Sequence, residues 1–214
     1  KKMSNIRFRI AKPSDAKQIT DVHWHVRDRY TEGIFLSLGK FFLKTYYKII
    51  LNDPWEVVIC AVKEDGKIVG FSSASQDAKS QINNLKKHKL KLGFAAAFAL
   101  ICHPSLIKGV WQRYKSLCDA PNAPKFIDTK GVRGEYWCWL KSEEAGLQNF
   151  QVDNIKNRVL YHLGEKELIG EVDKRNKGVL DFHKRVNKAE VIDEFTLPDG
   201  RDRVVIRIAL KAGR

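Results

Sequence analysis

The chain has 214 residues, of which 43% are hydrophobic and 30% are charged, and these values exclude a disordered or fibrous polymer. Its 39 Lys and Arg residues outnumber 25 Asp and Glu residues, and the formal net charge of +14 favours anionic partners such as phosphates, nucleic acid or a membrane leaflet. The length predicts one domain over residues 3–214 that carries a large insertion at 79–130.

The N-terminal third of the chain predicts a strand, two helices and a β-hairpin. Ile6, Phe8 and Ile10 alternate with arginines, which is typical of a strand with one buried face. Asp65 and Gly66 separate two β-rich runs, and an Asp-Gly pair favours a tight hairpin turn. The predicted elements are a strand at 6–10, helices at 14–29 and 36–51, and strands at 55–62 and 67–75.

The insertion at 79–130 differs in character from its surroundings. It has ten basic and two acidic residues, so it carries +8 of the net charge. Its middle predicts helices at 94–102 and 106–114, split at Pro104, and an irregular linker follows at 119–124. Beyond a merely solvated face, three roles stay open for this insertion: a lid over a substrate, an arm that forms a homodimer, and an interfacial helix. In the last, residues 79–115 contact an anionic membrane, with Phe94, Phe98 and Leu100 at the boundary.

The C-terminal part alternates strands and helices. Asn176 is a candidate N-cap, and Asn187 is suited to the left-handed residue that ends a helix. The turn at 198–200 contains Pro, Asp and Gly and joins two strands. The predicted elements are strands at 135–140, 168–173, 189–196 and 203–210, with helices at 147–163 and 176–186. The whole order predicts a mixed α/β fold, a central sheet of about seven strands flanked by helices, with the helical insertion between strands 3 and 4.

The cysteines give no sign of a metal site or a disulfide framework. There are four of them, at 60, 102, 118 and 138, without a C-x-x-C pair or a His at ligand spacing. His23 and His25 lie two residues apart and so on different faces of a helix, which argues against a shared metal. The longest apolar run, 92–102, falls short of the roughly 20 residues that span a bilayer. We therefore expect a cytoplasmic or membrane-peripheral protein without a metal.

The order of elements resembles the GNAT superfamily of acyl-CoA-dependent N-acyltransferases over residues 5–78 and 133–210. The segment from Asn176 to Asn187 is similar to the family's Asn-led helix, with His183 where a Tyr usually stands. The segments 10–16 and 66–71 are similar to the family's opening strand and hairpin. Residues 32–43, followed by a basic insertion, resemble a subgroup found with bacterial surface-polysaccharide enzymes.

The resemblance implies transfer of an acetyl or other acyl group from acyl-CoA, the co-substrate, to an amine of a small acceptor such as an amino sugar nucleotide. His183 would protonate the departing thiolate, and Glu135 would relay a proton from the amine. The alternatives without a chemical role are that His183 is an exposed or packed helix histidine and that Glu135 is a solvated surface acid. No recognised nucleic-acid motif is present, so no specific nucleic acid is expected. The remaining implied residues are Cys138, Leu140, Gly146, Leu147, Gln148, Asn149 and Asn176 for the cofactor, and Tyr30, Glu32, Phe35 and Trp139 for the acceptor.

The pyrophosphate loop departs from the family's pattern. The family places two glycines there, because glycine lets backbone N–H groups reach phosphate at a helix N-terminus, whereas this chain has only Gly146. Gln148 and Phe150 are expected to obstruct the approach. This departure supports an alternative function, a GNAT-fold binding or scaffolding module that acts through its cationic insertion. A third interpretation is transfer of a longer acyl chain, from CoA or a carrier protein, shielded by the apolar part of the insertion.

Overall fold

The computed structural model describes residues 5–28, 33–118, 130–140, 143 and 146–212. The predicted acceptor residues Tyr30 and Glu32, and the predicted linker at 119–124, lie outside these ranges. Seven strands form one mixed sheet in the order β1-β2-β3-β4-β5-β7-β6. The strands are β1 (Ile6–Ile10), β2 (Glu56–Lys63), β3 (Ile68–Ser75), β4 (Arg133–Trp139), β5 (Glu167–Asp173), β6 (Glu190–Thr196) and β7 (Asp202–Ala209). The predicted fold class is therefore confirmed.

Helices cover both faces of this sheet. They are α1 (Ala16–Trp24), α2 (Ile34–Ser37), α3 (Gly39–Ile50), α4 (Ala78–Lys87), α5 (Lys89–Cys102), α6 (Leu106–Leu117), α7 (Gln148–His162) and α8 (Lys177–Arg185), with 3-10 turns at Pro13–Asp15 and His25–Asp28. The second predicted helix is divided into α2 and α3, because Gly39 adopts a φ of +89° that breaks the helical ladder. In the described part of the insertion, up to residue 118, there are three helices where two were predicted, and the additional helix is α4, which follows the cap residue Asp77.

Alternation along β3 shows which helices lie on which face. Phe71 contacts the rings of His23 in α1 and Tyr47 in α3, whereas Ser72 donates a hydrogen bond to Asp153 in α7. Because neighbouring residues of a strand point to opposite faces, α1 and α3 cover one face and α7 covers the other. We call these the α1/α3 face and the α7 face.

Strands β4 and β5 run parallel but pair only at their beginnings. The register contains the single pair Arg133 and Ile169, supported by a hydrogen bond from the Ile169 N–H to the Val132 carbonyl of 3.0 Å. Beyond this point the two strands diverge. The split leaves a cleft at the centre of the sheet.

A β-bulge in β4 lies beside this split. The β3 register skips from Ser72 to Ala74, so that Ser73 opposes two residues of β4, and the Tyr136 N–H donates to the Ser73 hydroxyl at 3.1 Å. The bulge turns two consecutive side chains, Glu135 and Tyr136, to the α1/α3 face, which the regular period of a strand would forbid.

The end of α8 differs from the prediction in two details. The residue with positive φ is Lys188 (54°), not Asn187, and Asn187 instead bonds the imidazole of His183. Asn176 occupies the N-cap position, but its side chain makes no capping hydrogen bond. Neither asparagine side chain therefore caps the helix, and Asn176 lines the cleft.

Candidate functional site

The cleft between β4 and β5 encloses about 720 Å³, within the usual range of small-molecule sites, roughly 300–1,000 Å³. Its lining comes from both faces of the sheet, so the cleft passes through the layer at the split. Lining residues on the α7 face include Ser72, Trp137, Asn149, Asp153, Lys156, Asn176 and His183, and lining residues on the α1/α3 face include Val26, Glu135 and Tyr136.

The backbone of β4 directs alternate polar groups to the cleft. The Leu140 N–H donates to the Val69 carbonyl at 2.9 Å, and in an antiparallel ladder every second residue faces the same neighbour. Cys138 and Leu140 therefore turn their N–H and C=O groups to β3, whereas Trp137 and Trp139 turn theirs to the β5 side. The predicted cofactor contacts of Cys138 and Leu140 stay a prediction, and the β4 backbone groups that face the cleft are those of their neighbours Trp137 and Trp139.

His183 lies in the cleft and is 9% exposed. Its Nδ1 accepts a hydrogen bond of 2.9 Å from Nδ2 of Asn187, so the neutral ring carries its proton on Nε2. Burial lowers the pKa of His183, while the nearby Asp153 carboxylate opposes that shift. Burial thus favours the neutral form of the ring, and the catalytic role of His183 stays a prediction.

A buried ion pair, which the sequence analysis did not select, lies on the α7 face of the cleft. Lys156 Nζ is 2.7 Å from Asp153 Oδ1, with side chains 5% and 2% exposed, and the Ser72 hydroxyl donates to the same oxygen at 2.9 Å. Burial acts to raise the pKa of Asp153, but Lys156 and Ser72 outweigh it and hold the pKa below its usual value. The sequence contains a sign that Lys156 is buried, because Lys156 lies four residues from Val152 and four from Leu160, on the apolar side of the helix.

Glu135 belongs to a second buried network, on the α1/α3 face. Its carboxylate accepts hydrogen bonds from Gln81 (2.8 Å), from Tyr46 (3.0 Å) and from Arg133, with which it forms an ion pair. Three donors thus occupy its two oxygens. This geometry gives Glu135 an anchoring role at the bulge in place of the predicted proton relay. Glu143 pairs with Lys63 and Lys67 and does not line the cleft.

Of the two acceptor candidates that the structure describes, Trp139 lines the cleft and Phe35 does not. Phe35 lies edge-on to Phe42 at 5.2 Å and 4.9 Å from the Tyr46 ring. Trp139 is 6% exposed and covers Gly70 on the α7 face, where a Cβ on that glycine would lie 2.2 Å from the indole. Of the predicted acceptor set, Phe35 and Trp139 therefore support the walls of the cleft.

The start of α7 carries the remaining cofactor candidates. Gly146 has a φ of +46°, Leu147 is 76% exposed, and Gln148 is the first helical residue. Asn149 accepts from the Trp137 indole at 2.9 Å, so it is fixed at the rim of the cleft. Phe150 stacks on Phe182 at 4.7 Å, and its ring is thereby held between α7 and α8, not across the loop as predicted.

The cleft lining is strongly charged around the C-terminal end of β5. Burial raises the pKa of the Tyr136 phenol, and the positive charge of Arg113 in α6 opposes this rise. Asp173 accepts from Arg175 at 3.1 Å. Glu171, Asp173, Arg175 and Arg203 all line the cleft.

His23 is buried and packs against Tyr136. Its ring centroid is 4.5 Å from that of Tyr136, its Nδ1 is 2.7 Å from the Tyr47 hydroxyl, and burial lowers its pKa to about 4. It is therefore a core histidine with a hydrogen-bond partner. Among the described residues, no cluster of His, Cys, Asp or Glu has the composition of a metal site, and no described helix has the length and apolarity needed to cross a bilayer.

Comparisons with known proteins place this architecture. No family model matches the sequence, and no curated protein does. The structure is similar to an N-acetyltransferase from Staphylococcus aureus Mu50, with a TM-score of 0.61 at 12% identity over 97% of this chain and 100% of that one. It is also similar to yncA from Salmonella typhimurium, solved with its cofactor acetyl-CoA (TM-score 0.57, 11% identity, 97% and 95% covered).

A GNAT-family acetyltransferase from Streptococcus pneumoniae gives a TM-score of 0.53 at 11% identity, over 96% of this chain and 99% of that one. At these identities the likeness establishes the fold. The chain has the GNAT fold, and the predicted resemblance is confirmed at that level. The subgroup with a basic insertion stays a prediction.

Proposed function

We propose that the protein is an acyl-CoA-dependent N-acyltransferase that transfers an acetyl or other acyl group to an amine of a small acceptor. The observation that supports this proposal is the split between β4 and β5, in which the His183 imidazole and the Asn176 side chain line one cleft. An extended thioester arm can enter such a split as an additional strand, because its amide groups can pair with exposed backbone.

The residues of the cleft fit that donor. The backbone groups of Trp137 and Trp139 face the side where β5 has diverged, and they would pair with the amides of the pantetheine arm. Asn176, whose side chain makes no cap, would bond the same arm. The exposed loop at 146–148 and the N-terminus of α7 would hold the phosphates. Acyl-CoA supplies the activated thioester when bound.

In the reaction the neutral amine attacks the thioester carbonyl, a C–N bond forms and the C–S bond breaks. The proton that the amine loses balances the one that the sulfur gains. A thiol with a pKa near about 8.5 leaves readily, so a hydrogen bond to the developing thiolate is sufficient help. His183 would supply this bond from Nε2–H, with Asn187 holding the tautomer.

Substitution of His183 tests this mechanism. Calorimetric titration with acetyl-CoA should show saturable binding, and an amine panel monitored by thiol release should identify acceptors. His183→Ala should then lower kcat by roughly tenfold to a hundredfold, whereas His162→Ala, an exposed histidine at the end of α7, should leave it unchanged. Equal kcat in both variants removes His183 from the mechanism, and absence of acetyl-CoA binding removes the proposed function.

An amino sugar nucleotide is the acceptor class we propose. The cleft lining contains the guanidinium groups of Arg175 and Arg203, and guanidinium pairs well with phosphate. A nucleotide-linked amino sugar should therefore be acylated with a lower KM than the free amino sugar. Equal KM values for the two would refute a role of the nucleotide.

The alternative function is a binding module without acyl transfer. The single glycine of the pyrophosphate loop favours it, because fewer backbone N–H groups can then approach a phosphate. The same calorimetric titration distinguishes the two functions, since a silent titration supports the binding module.

A further inference from the structure

Helix α5 presents a stripe of large apolar side chains to solvent. Leu90, Phe94, Phe98 and Ile101 are 84%, 77%, 79% and 76% exposed, and their spacing of four, four and three residues places them on one side of the helix. The opposite side contains Ala95 and Ala96, which are buried against the domain. The stripe is therefore an outward face of a helix that is already anchored on its other side.

Helix α6 repeats the pattern with amphipathic aromatic residues. Ile107, Trp111 and Tyr114 are exposed at spacings of four and three, and the Trp111 and Tyr114 rings stack at 5.7 Å. The Lys115 ammonium lies 5.6 Å from the Trp111 ring centre. Tryptophan and tyrosine beside lysine are the residues that favour the headgroup region of a bilayer.

The charge around these stripes has one sign. Between Asp77 and Asp119 the chain contains no acidic residue. Exposed lysines interleave with the apolar residues at positions 87, 89, 91, 108 and 115. We define the insertion surface as these lysines together with seven apolar residues: Leu90, Phe94, Phe98, Ile101, Ile107, Trp111 and Tyr114.

We propose that the insertion surface docks on an anionic lipid bilayer, with the apolar side chains at the acyl boundary and the lysines at the headgroups. This inference does not depend on acyl transfer. A second copy of the chain fits the surface less well, because a two-fold contact would bring its lysines against each other. Nucleic acid would satisfy the lysines but leave Leu90 and Ile101 in water.

Vesicle co-sedimentation of the full chain tests the apolar part. The protein should bind vesicles of phosphatidylcholine mixed with phosphatidylglycerol and bind phosphatidylcholine alone at least tenfold less, since only the anionic headgroups attract the lysines. Phe94→Ser/Phe98→Ser should reduce binding to the mixed vesicles roughly tenfold or more. The control Leu163→Ser/Ile192→Ser changes two exposed apolar residues outside the insertion surface and should bind like the wild type.

A second pair of variants tests the charge. Lys87→Glu/Lys89→Glu/Lys91→Glu should abolish the preference for anionic vesicles, whereas Lys17→Glu/Lys166→Glu/Lys211→Glu, with the same change in net charge, should retain it. If both triple variants lose binding equally, only overall charge acts and the proposal fails. It also fails if the wild type does not bind anionic vesicles. A dimer in sedimentation velocity that Phe94→Ser/Phe98→Ser dissociates, together with absence of vesicle binding, would show that the surface contacts a second copy of the chain.

Discussion

Removal of one partner of the Asp153–Lys156 pair is expected to destabilise the fold strongly. Both side chains are almost fully buried and their charged atoms are 2.7 Å apart, so Asp153→Asn leaves an ammonium without a counter-charge in a medium that solvates it poorly. Such a loss costs about 3–5 kcal/mol, whereas replacement of both partners by uncharged groups of similar volume is often close to neutral. Asp153→Asn/Lys156→Met should therefore be more stable than either single variant.

Urea unfolding of the wild type, both single variants and the double variant measures this coupling as a double-mutant cycle. The pH dependence gives a second check. Because the pKa of Asp153 is lowered in the fold, its stabilisation is complete above the unfolded carboxyl pKa of about 4 and is lost as the pH falls below that value. The difference between wild type and Asp153→Asn should shrink in that range. If the free energy of unfolding of a single variant at pH 7 lies within about 1 kcal/mol of the wild-type value, the pair is hydrated and the reasoning is refuted.

Three further predictions concern packing, protonation and thiol access. Gly70→Ala should destabilise the protein by about 1–3 kcal/mol in urea unfolding, since its Cβ would overlap Trp139, whereas Gly178→Ala in α8 meets no neighbour and should be neutral or stabilising. His23 has a pKa of about 4 in the fold, so the unfolded chain binds the extra proton between about pH 6.5 and 4, and stability should fall there by about 3 kcal/mol. His23→Gln should flatten that part of the curve. In a thiol titration two cysteines should react in the native protein and the other two only after unfolding, because burial of Cys60 raises its pKa to about 12. The accessible pair is Cys102 and Cys118, and the protected pair is Cys60 and Cys138.

The regular parts of the fold could be predicted from the sequence because they follow simple periods. The alternation at 6–10 gave β1, and Asp65-Gly66 gave the β2–β3 turn, where Gly66 adopts a φ of 82°. Helix α4 was missed because its composition is mainly polar, although its cap was visible: Asp77 accepts from the N–H groups of Lys79 and Ser80. A capping residue was thus a stronger signal there than hydrophobic periodicity.

The candidate site was only partly predictable, because its decisive features break those periods. The bulge at β4 turns Glu135 and Tyr136 to one face, and a period of two assigns them to opposite faces. Charged residues on a helix are expected at the surface, which hid Asp153 and Lys156. His183 was selected because its helix resembles a known one, whereas its burial and its hydrogen bond with Asn187 became visible only in the structure.

We expect the two buried networks to help keep the split open. Arg133, Glu135 and Gln81 hold β4 on the α1/α3 face at the last paired residue, and Ser72, Asp153 and Lys156 brace its neighbour β3 on the α7 face. An apolar interior at either place would gain free energy if β4 and β5 closed over it. A fully bonded charged network gains nothing from closure, because its partners are already satisfied and any displacement leaves a buried charge unpaired. The charges therefore disfavour a continuous ladder, and the backbone groups of Trp137 and Trp139 remain directed toward the cleft.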